Sequence, residues 1–234
     1  MIQAALFDVF GTVVDWRSGV AQAAAPILEA AGIAEDPTGF ADAWRAEYQP
    51  AMARVRDGAR GYVPLDTLHR ENLERVLAAR GHAGRLDETA LAALNHAWEQ
   101  LPPWPDSGPG LAAIRARMLI APCSNGSIAL MVRLARYAGL PWDAILGADV
   151  ARAYKPQPAA YLRSAAALGL PPEAVVMVAA HNDDLEAAAA LGFATAFVPR
   201  PQEHGPAQTT DLRPTGPWSF VATDLEDLAR QLAA

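Results

Sequence analysis

Short apolar runs alternate with amphipathic helical patterns along most of the chain. Nearly continuous apolar runs predict strands at residues 4–7, 118–123, 144–146, 175–180 and 195–198. Helical spacing follows the second run, at Ile128, Met131, Val132 and Ala135. We also expect Asn182 to cap a helix that runs to Gly192. Runs that are apolar at every position are typical of strands covered on both faces, and strands that alternate with helices form parallel sheets. The pattern therefore predicts an α/β fold.

The stretch from about Val14 to Gln100 has a different pattern. It contains no convincing strand, and its apolar residues share helical faces. Examples are the sets Leu73, Val76, Leu77 and Leu91, Leu94, Trp98. We therefore predict a Rossmann-like core, a doubly wound parallel sheet made of residues 1–14 and 101–234. A helical cap domain of residues 15–100 would be inserted after the first strand.

Composition narrows the partners that this chain could have. The net charge of −7 and the lack of a Lys/Arg cluster argue against nucleic acid as a partner. Cys123 is the single cysteine, which excludes an internal disulfide framework and a Cys-rich metal site. The chain shows no signal-peptide pattern, and its longest uncharged apolar run, residues 187–198, is shorter than the roughly 20 residues of a membrane span. We therefore expect a cytoplasmic protein without a membrane partner.

Polar residues follow four of the predicted strands. They are Asp8 and Thr12 after the first strand, Ser124, Asn125 and Gly126 after the second, Lys155 beyond the third, and His181, Asn182, Asp183 and Asp184 after the fourth. In an open parallel sheet, ligands bind outside the carboxyl ends of the strands. We therefore expect these side chains to converge on one edge of the sheet.

Asp8 and Phe10 together indicate the kind of chemistry. An acid at the end of a buried strand is placed to act as a nucleophile. Phe10 stands two residues later, and its ring cannot donate the proton that a phosphoester leaving group would need. The pair favours a leaving group that departs as a stable anion.

The four strand-end clusters resemble the ordered motifs of the haloacid dehalogenase superfamily. The matching motifs are Phe7-Asp8-Val9-Phe10-Gly11-Thr12, Cys123-Ser124-Asn125-Gly126, Tyr154-Lys155-Pro156 and Asn182-Asp183-Asp184. The helical insertion resembles the cap of that superfamily. Within it, the chain is similar to the L-2-haloacid dehalogenases, which carry an aromatic residue at the position of Phe10. Trp44-Arg45 and Tyr161 also match that subfamily.

The resemblance implies hydrolysis of short (S)-2-haloacids to (R)-2-hydroxyacids and halide. Asp8 would attack the α-carbon, expel the halide and form an ester, which water would then hydrolyse at the Asp8 carbonyl carbon. Thr12 and Lys155 would orient the Asp8 carboxylate. Asp184 would position Lys155 or the water.

The resemblance also implies a set of substrate-binding residues. Ser124 would hold the substrate carboxylate together with backbone N–H groups after Asp8, and Arg45 and Asn125 would stabilise the halide. Phe10 and Tyr161 complete this set. Tyr48 and Gln49, one turn after Arg45, fit either the same pocket or an exposed helix face. Dimers accompany small caps of this kind in the resembled family, so a homodimer is compatible with the resemblance.

A magnesium site is not expected. Phosphatases of the superfamily carry acids at two positions that fall here on Phe10 and Ala180. Magnesium needs several oxygen ligands, so we expect neither a metal nor another cofactor. A magnesium-dependent phosphatase and a non-catalytic protein that binds small acids are the alternatives.

His181 marks a departure from the resembled subfamily. Well-studied members resemble Ser-Ser-Asn where this chain has Ala179-Ala180-His181. The residues credited there with ordering the hydrolytic water are therefore replaced. Our hypothesis is that His181 or Asn182 positions the water.

Overall fold

The computed structural model describes residues 1–233. Its strands are β1 (Ala4–Phe7), β2 (Leu119–Pro122), β3 (Val175–Ala179), β4 (Ala194–Phe197) and β5 (Phe220–Val221). Its helices are α1 (Trp16–Ala30), α2 (Pro37–Ala46), α3 (Tyr48–Arg56), α4 (Leu65–Ala79), α5 (Glu88–Asn95), α6 (Ser107–Arg115), α7 (Ile128–Ala138), α8 (Pro158–Ala167), α9 (Asn182–Ala189) and α10 (Leu225–Gln231). Short 3₁₀ helices cover His96–Glu99, Ala148–Val150 and Pro172–Ala174.

The strands form one sheet in the order β2-β1-β3-β4-β5, and every pairing is parallel. Ala5 and Phe7 of β1 face one apolar core, while Ala4 and Leu6 face another. Residues of α6, α7 and α10 contribute to the first core, and residues of α8 and α9 contribute to the second. Both faces of the sheet are therefore covered, and the predicted doubly wound α/β fold is confirmed.

Helices α1 to α5 follow β1 without an intervening strand and pack together around buried tryptophans. The indole of Trp98 meets the ring of Phe10 edge-on, with 5.8 Å between the ring centroids. This contact brings the helical insertion against the segment that follows β1. The predicted boundaries of the cap, at residues 15 and 100, stay a prediction.

The predicted strand at residues 144–146 is wrong. Asp143 donates its backbone N–H to the carbonyl of Ile120 in β2, and residues 144–146 add no further backbone hydrogen bond to that strand. The chain then turns in toward the loop after β2, where the backbone N–H of Ala148 bonds the carbonyl of Gly126. A side chain at Gly147 would collide with that same carbonyl. Packing against the loop therefore replaces a strand ladder.

The other strands differ from prediction mainly at their ends, by one residue in most cases. β5 was not predicted, because two residues are too few to show a hydrophobic period. It lies at the edge of the sheet beside β4. No helix within residues 1–233 is long and apolar enough to cross a membrane.

Candidate active site

Asp8 lies immediately beyond the carboxyl end of β1 and is buried. Its backbone N–H bonds the carbonyl of Val178 on β3, which fixes the start of the loop. Lys155 Nζ lies 2.8 Å from Asp8 Oδ1, and Thr12 Oγ1 donates to Asp8 Oδ2 over 2.7 Å. His181 Nδ1 lies 3.2 Å from the same Oδ2. The structure thus brings together predicted site residues from three separate loops.

The charges around Asp8 keep its carboxyl group ionised. Burial raises the pKa of Asp8, but the opposite charges of Lys155 and His181 outweigh it and hold that pKa well below its usual range. Burial also opposes the charge on Lys155. The carboxylates of Asp184 and Asp8 outweigh this effect, so the pKa of Lys155 is well above its usual value. Asp8 is therefore an anion and Lys155 a cation at every physiological pH.

Asp184 supports Lys155 from the far side. Its Oδ2 lies 2.5 Å from Lys155 Nζ, and its Oδ1 accepts a hydrogen bond from the Tyr161 hydroxyl over 2.6 Å. Burial and the charge of Asp8 raise the pKa of Asp184, against the opposing effect of Lys155. The hydroxyl of Tyr161 is therefore committed to Asp184, while its ring contributes to the wall of the cavity.

Asn125 joins the loop after β2 to Lys155 and to the cap. Its Oδ1 accepts the backbone N–H of Lys155 over 2.7 Å, and its Nδ2 donates to the Tyr48 hydroxyl over 3.1 Å. The neighbouring Ser124 is buried, and its Oγ accepts the backbone N–H of Gly126. Among residues 1–233, no acceptor binds the hydroxyl proton of Ser124.

A cavity of about 620 Å³ opens above Asp8. Its wall includes Asp8, Phe10, Arg45, Tyr48, Asn125, Lys155, Tyr161, His181, Asp184 and Glu203. Of the predicted site residues, Thr12, Ser124 and Asn182 do not line it. Residues of the cap and of the sheet edge therefore share one cavity.

Arg45 supplies positive charge from the cap side of this cavity. Its guanidinium lies over the ring of Tyr48 at 3.9 Å and over the ring of Trp16 at 5.2 Å. Its Nη1 atom is buried and has no hydrogen-bond partner among residues 1–233. A buried donor without a partner is costly unless a ligand satisfies it, so this atom fits an anion site.

Glu203 is a site residue that the sequence patterns did not single out. Its side chain is 2% exposed, Oε2 lies 2.9 Å from His181 Nε2, and Oε1 accepts from Trp16 Nε1 over 3.0 Å. Glu203 lies in the loop that follows β4. The carboxyl end of β4 lies at the same edge of the sheet as the other strand ends, and this topology is the signal that points to the loop.

His181 therefore lies between two carboxylates. Burial lowers the pKa of its imidazole, but Glu203 and Asp8 outweigh burial and hold that pKa well above the usual histidine value. Burial raises the pKa of Glu203, and His181 outweighs it so that the net pKa is lowered. With Asp8 ionised, His181 carries a proton on each ring nitrogen.

The pair of Glu203 and His181 predicts a measurable dependence of stability on pH. The pKa of His181 is higher in the folded protein than in the unfolded chain, where a histidine titrates at about 6.5. The stability that this difference adds is fully present below about pH 6.5 and is lost as pH rises through the pKa of the folded protein. Glu203→Gln removes one of the carboxylates that raise this pKa. The melting temperature should therefore fall less in Glu203→Gln than in the wild type as pH rises above about 6.5. We expect the two falls to differ by roughly 2–4 °C, which corresponds to about 1 kcal/mol of unfolding free energy in a chain of this size.

Thermal melting at several pH values between about 6.5 and 10 measures this effect. Glu186→Gln is the control because Glu186 is an exposed acid. Parallel profiles for the wild type and Glu203→Gln would show that Glu203 does not hold the proton on His181.

The structure does not place Asn182 among the residues that line the cavity above Asp8. Asn182 is the first residue of α9, and the N-cap position belongs to His181. Its Nδ2 donates to Asp211 Oδ1 and to the carbonyl of Arg213. Its Oδ1 accepts from the backbone of Thr215 and the indole of Trp218. The side chain is therefore used to hold the loop of residues 211–218 and is not free to position water.

The two positions that lack acids, Phe10 and Ala180, are both buried. The backbone N–H of Ala180 donates to Thr12 Oγ1 over 2.9 Å, and the Phe10 ring packs into the apolar core. Among residues 1–233, no three histidine, cysteine or acidic side chains are arranged to share a metal ion.

Comparison with known proteins agrees with this geometry. The family model of haloacid dehalogenase-like hydrolases matches residues 2–192. The chain is 31% identical over 202 residues to an (S)-2-haloacid dehalogenase of Xanthobacter autotrophicus, which covers 86% of this chain and 76% of that protein.

Solved structures show the same relationship. A defluorinating L-2-haloacid dehalogenase superposes with a TM-score of 0.98 at 54% identity, over 100% of this chain and 96% of that one. The L-2-haloacid dehalogenase of Xanthobacter autotrophicus with chloropropionic acid covalently bound gives 0.82 at 27% identity, over 100% and 99%. The chain therefore belongs to the haloacid dehalogenase-like hydrolases.

Proposed function

We propose that the chain hydrolyses the carbon–halogen bond of short (S)-2-haloacids and releases (R)-2-hydroxyacids and halide. The observation that carries this proposal is the ionised Asp8, held by Lys155 and Thr12 at the floor of a cavity that Arg45 closes from the cap. The similarity to several L-2-haloacid dehalogenases supports it.

The first step is an in-line attack by Asp8 on the α-carbon of the substrate. Thr12 donates to Oδ2 and His181 Nδ1 lies 3.2 Å from the same atom, whereas Oδ1 has Lys155 as its one hydrogen-bond donor among residues 1–233 and keeps a lone pair for attack. Oδ1 is therefore the attacking atom. The new C–O bond forms as the C–X bond breaks, and the bonding pair leaves with the halogen.

The leaving halide needs positive charge and no proton. Arg45 Nη1, which has no partner within the described residues, and the second Nδ2 proton of Asn125 supply hydrogen bonds to it. Phe10 occupies the position where an acid would donate to a phosphoester oxygen. We assign the substrate carboxylate to the backbone N–H groups after Asp8 and, as the family resemblance implies, to the Ser124 hydroxyl, which lies outside the cavity wall in this structure.

The second step hydrolyses the ester, and His181 is placed to activate the water. Ester formation removes the negative charge of Asp8, which lowers the pKa of His181 although Glu203 still raises it. In the proposed step, Nδ1 then gives its proton to solvent through the open cavity. Nδ1 then accepts a proton from the water that attacks the Asp8 carbonyl carbon. Glu203 stabilises the resulting imidazolium through Nε2.

The products restore the starting state. The second water proton ends on the hydroxyl of the product, Asp8 returns as a carboxylate, and His181 is again protonated between Asp8 and Glu203. The net reaction releases one halide and one proton. No step in this scheme uses a metal or an organic cofactor.

The same proposal includes a cap of residues 15–100 that supplies Arg45 and Tyr48 to the site. A homodimer and a cytoplasmic location belong to it as well; the homodimer rests on the family resemblance, and the location rests on the expectation from the sequence.

Halide release in the presence of a chelator tests the function. We expect wild-type protein to release chloride from (S)-2-chloropropionate at least about 100-fold faster than from the (R) enantiomer, with or without chelator, because in-line displacement requires one orientation of the C–Cl bond toward Arg45. p-Nitrophenyl phosphate should not be hydrolysed.

Two results would contradict the proposal. Phosphatase activity that vanishes with chelator would favour a magnesium phosphatase. Binding of 2-chloropropionate without chloride release would favour a non-catalytic binding protein.

A further inference from the structure

Tyr48, the first residue of α3, is buried in the wall of the cavity next to Arg45 and Asn125. The sequence left it open whether this side chain lies in the pocket or on an exposed helix face. With 5% of its surface exposed, it belongs to the pocket.

The hydrogen-bond direction at Tyr48 follows from the backbone. The N–H of Lys155 can only donate, so the atom of Asn125 that faces it must be the carbonyl Oδ1. The amide nitrogen of Asn125 therefore faces Tyr48, and the phenolic oxygen must accept from it. The hydroxyl proton of Tyr48 is left to donate elsewhere, and no acceptor for it is found among residues 1–233.

A second donor without a partner lies beside the first. The Arg45 guanidinium lies 3.9 Å from the centroid of the Tyr48 ring, and its buried Nη1 has no hydrogen bond within the described part of the chain. Two buried donors that lack acceptors in the same wall of one cavity point to an anion that would satisfy both.

We propose that the Tyr48 hydroxyl donates a hydrogen bond to the departing halogen and thereby sets which halogens the site removes efficiently. This inference rests on the proposed dehalogenase function and adds a residue to it. The C–X bonding pair leaves with the halogen, and the phenol keeps its proton throughout. Asn125 holds the phenolic oxygen so that the proton points into the cavity.

The effect of this hydrogen bond depends on the halogen. Fluoride concentrates its charge in a smaller volume than chloride or bromide, so a donor approaches closer and the attraction is greater. The C–F bond is also the hardest of the three to break, and its transition state relies most on stabilisation of the leaving group. Loss of the hydroxyl should therefore reduce defluorination most and debromination least.

Tyr48→Phe tests this proposal because it removes the hydroxyl and keeps the ring under Arg45. The assay compares kcat/KM for fluoroacetate, chloroacetate and bromoacetate in the wild type and the variant. We expect a loss of about ten- to a hundredfold on the fluoro acid, as for a hydrogen bond to a charged group, and about threefold or less on the bromo acid. Tyr137→Phe is the control, since Tyr137 is exposed on α7 and does not line the cavity.

The outcomes separate this inference from the proposed function. A loss that grows from bromide to chloride to fluoride supports it, and the chloride-to-bromide ratio carries the same test if fluoroacetate is turned over too slowly to measure. If kcat/KM falls equally for all three acids, or does not fall, the inference is overturned. Tyr48 would then do no more than hold the side chain of Asn125. A folded wild type that releases no halide from any of these acids overturns the proposed function as well.

Discussion

Replacing Asp8 by asparagine is expected to lower halide release by about 10⁴-fold or more. An amide has nearly the shape of the carboxylate but lacks the charge and the nucleophilic oxygen that the first step uses. Lys155 keeps its ion pair with Asp184 in the variant, so the site does not lose all of its order. Steady-state halide release with 2-chloropropionate measures the loss.

The control for this variant is Asp57→Asn, which changes an exposed acid at the end of α3. It should keep wild-type activity, and both variants should melt cooperatively. Retention of more than about a tenth of the activity by Asp8→Asn would mean that water attacks the substrate directly. Single turnover of the wild type in ¹⁸O-water separates the same two mechanisms, because ester hydrolysis places the label in Asp8 and direct attack places it in the product.

The parts of the site at the ends of the central strands could be predicted because their geometry follows from topology. β1 and β3 are neighbours, so Asp8 and the residues after β3 must meet at one edge of the sheet. Thr12 lies close enough in sequence to fold back onto Asp8. The motif order and the alternation of apolar runs were therefore sufficient to predict the fold and most of the contacts of the nucleophile.

Other parts could not be predicted because they depend on packing between distant segments. Glu203 reaches His181 only through the course of the loop after β4, which no periodic pattern describes. Asn182 looked free beside His181, yet a loop more than 25 residues later uses all of its hydrogen-bonding atoms. The role proposed for Tyr48 depends on which atom of the Asn125 side-chain amide faces its hydroxyl. Only the hydrogen bond from the Lys155 backbone to Asn125 Oδ1 determines this.

His181→Ala is expected to stop the reaction after the ester forms. Lys155 still keeps Asp8 ionised in this variant, so the first step proceeds, whereas the water loses its proton acceptor. We expect a burst of about one halide per site, steady turnover reduced by about 10²–10⁴-fold, and an intact mass that contains the acyl group on Asp8. His181→Asn introduces the residue type that well-studied L-2-haloacid dehalogenases carry at this motif position. This variant should recover part of the turnover because an amide can still orient water. Wild-type turnover in His181→Ala would show that other groups hold the water. A slow reaction without a burst would show that the main effect of His181 is to keep Asp8 ionised, because the loss would then fall on the first step.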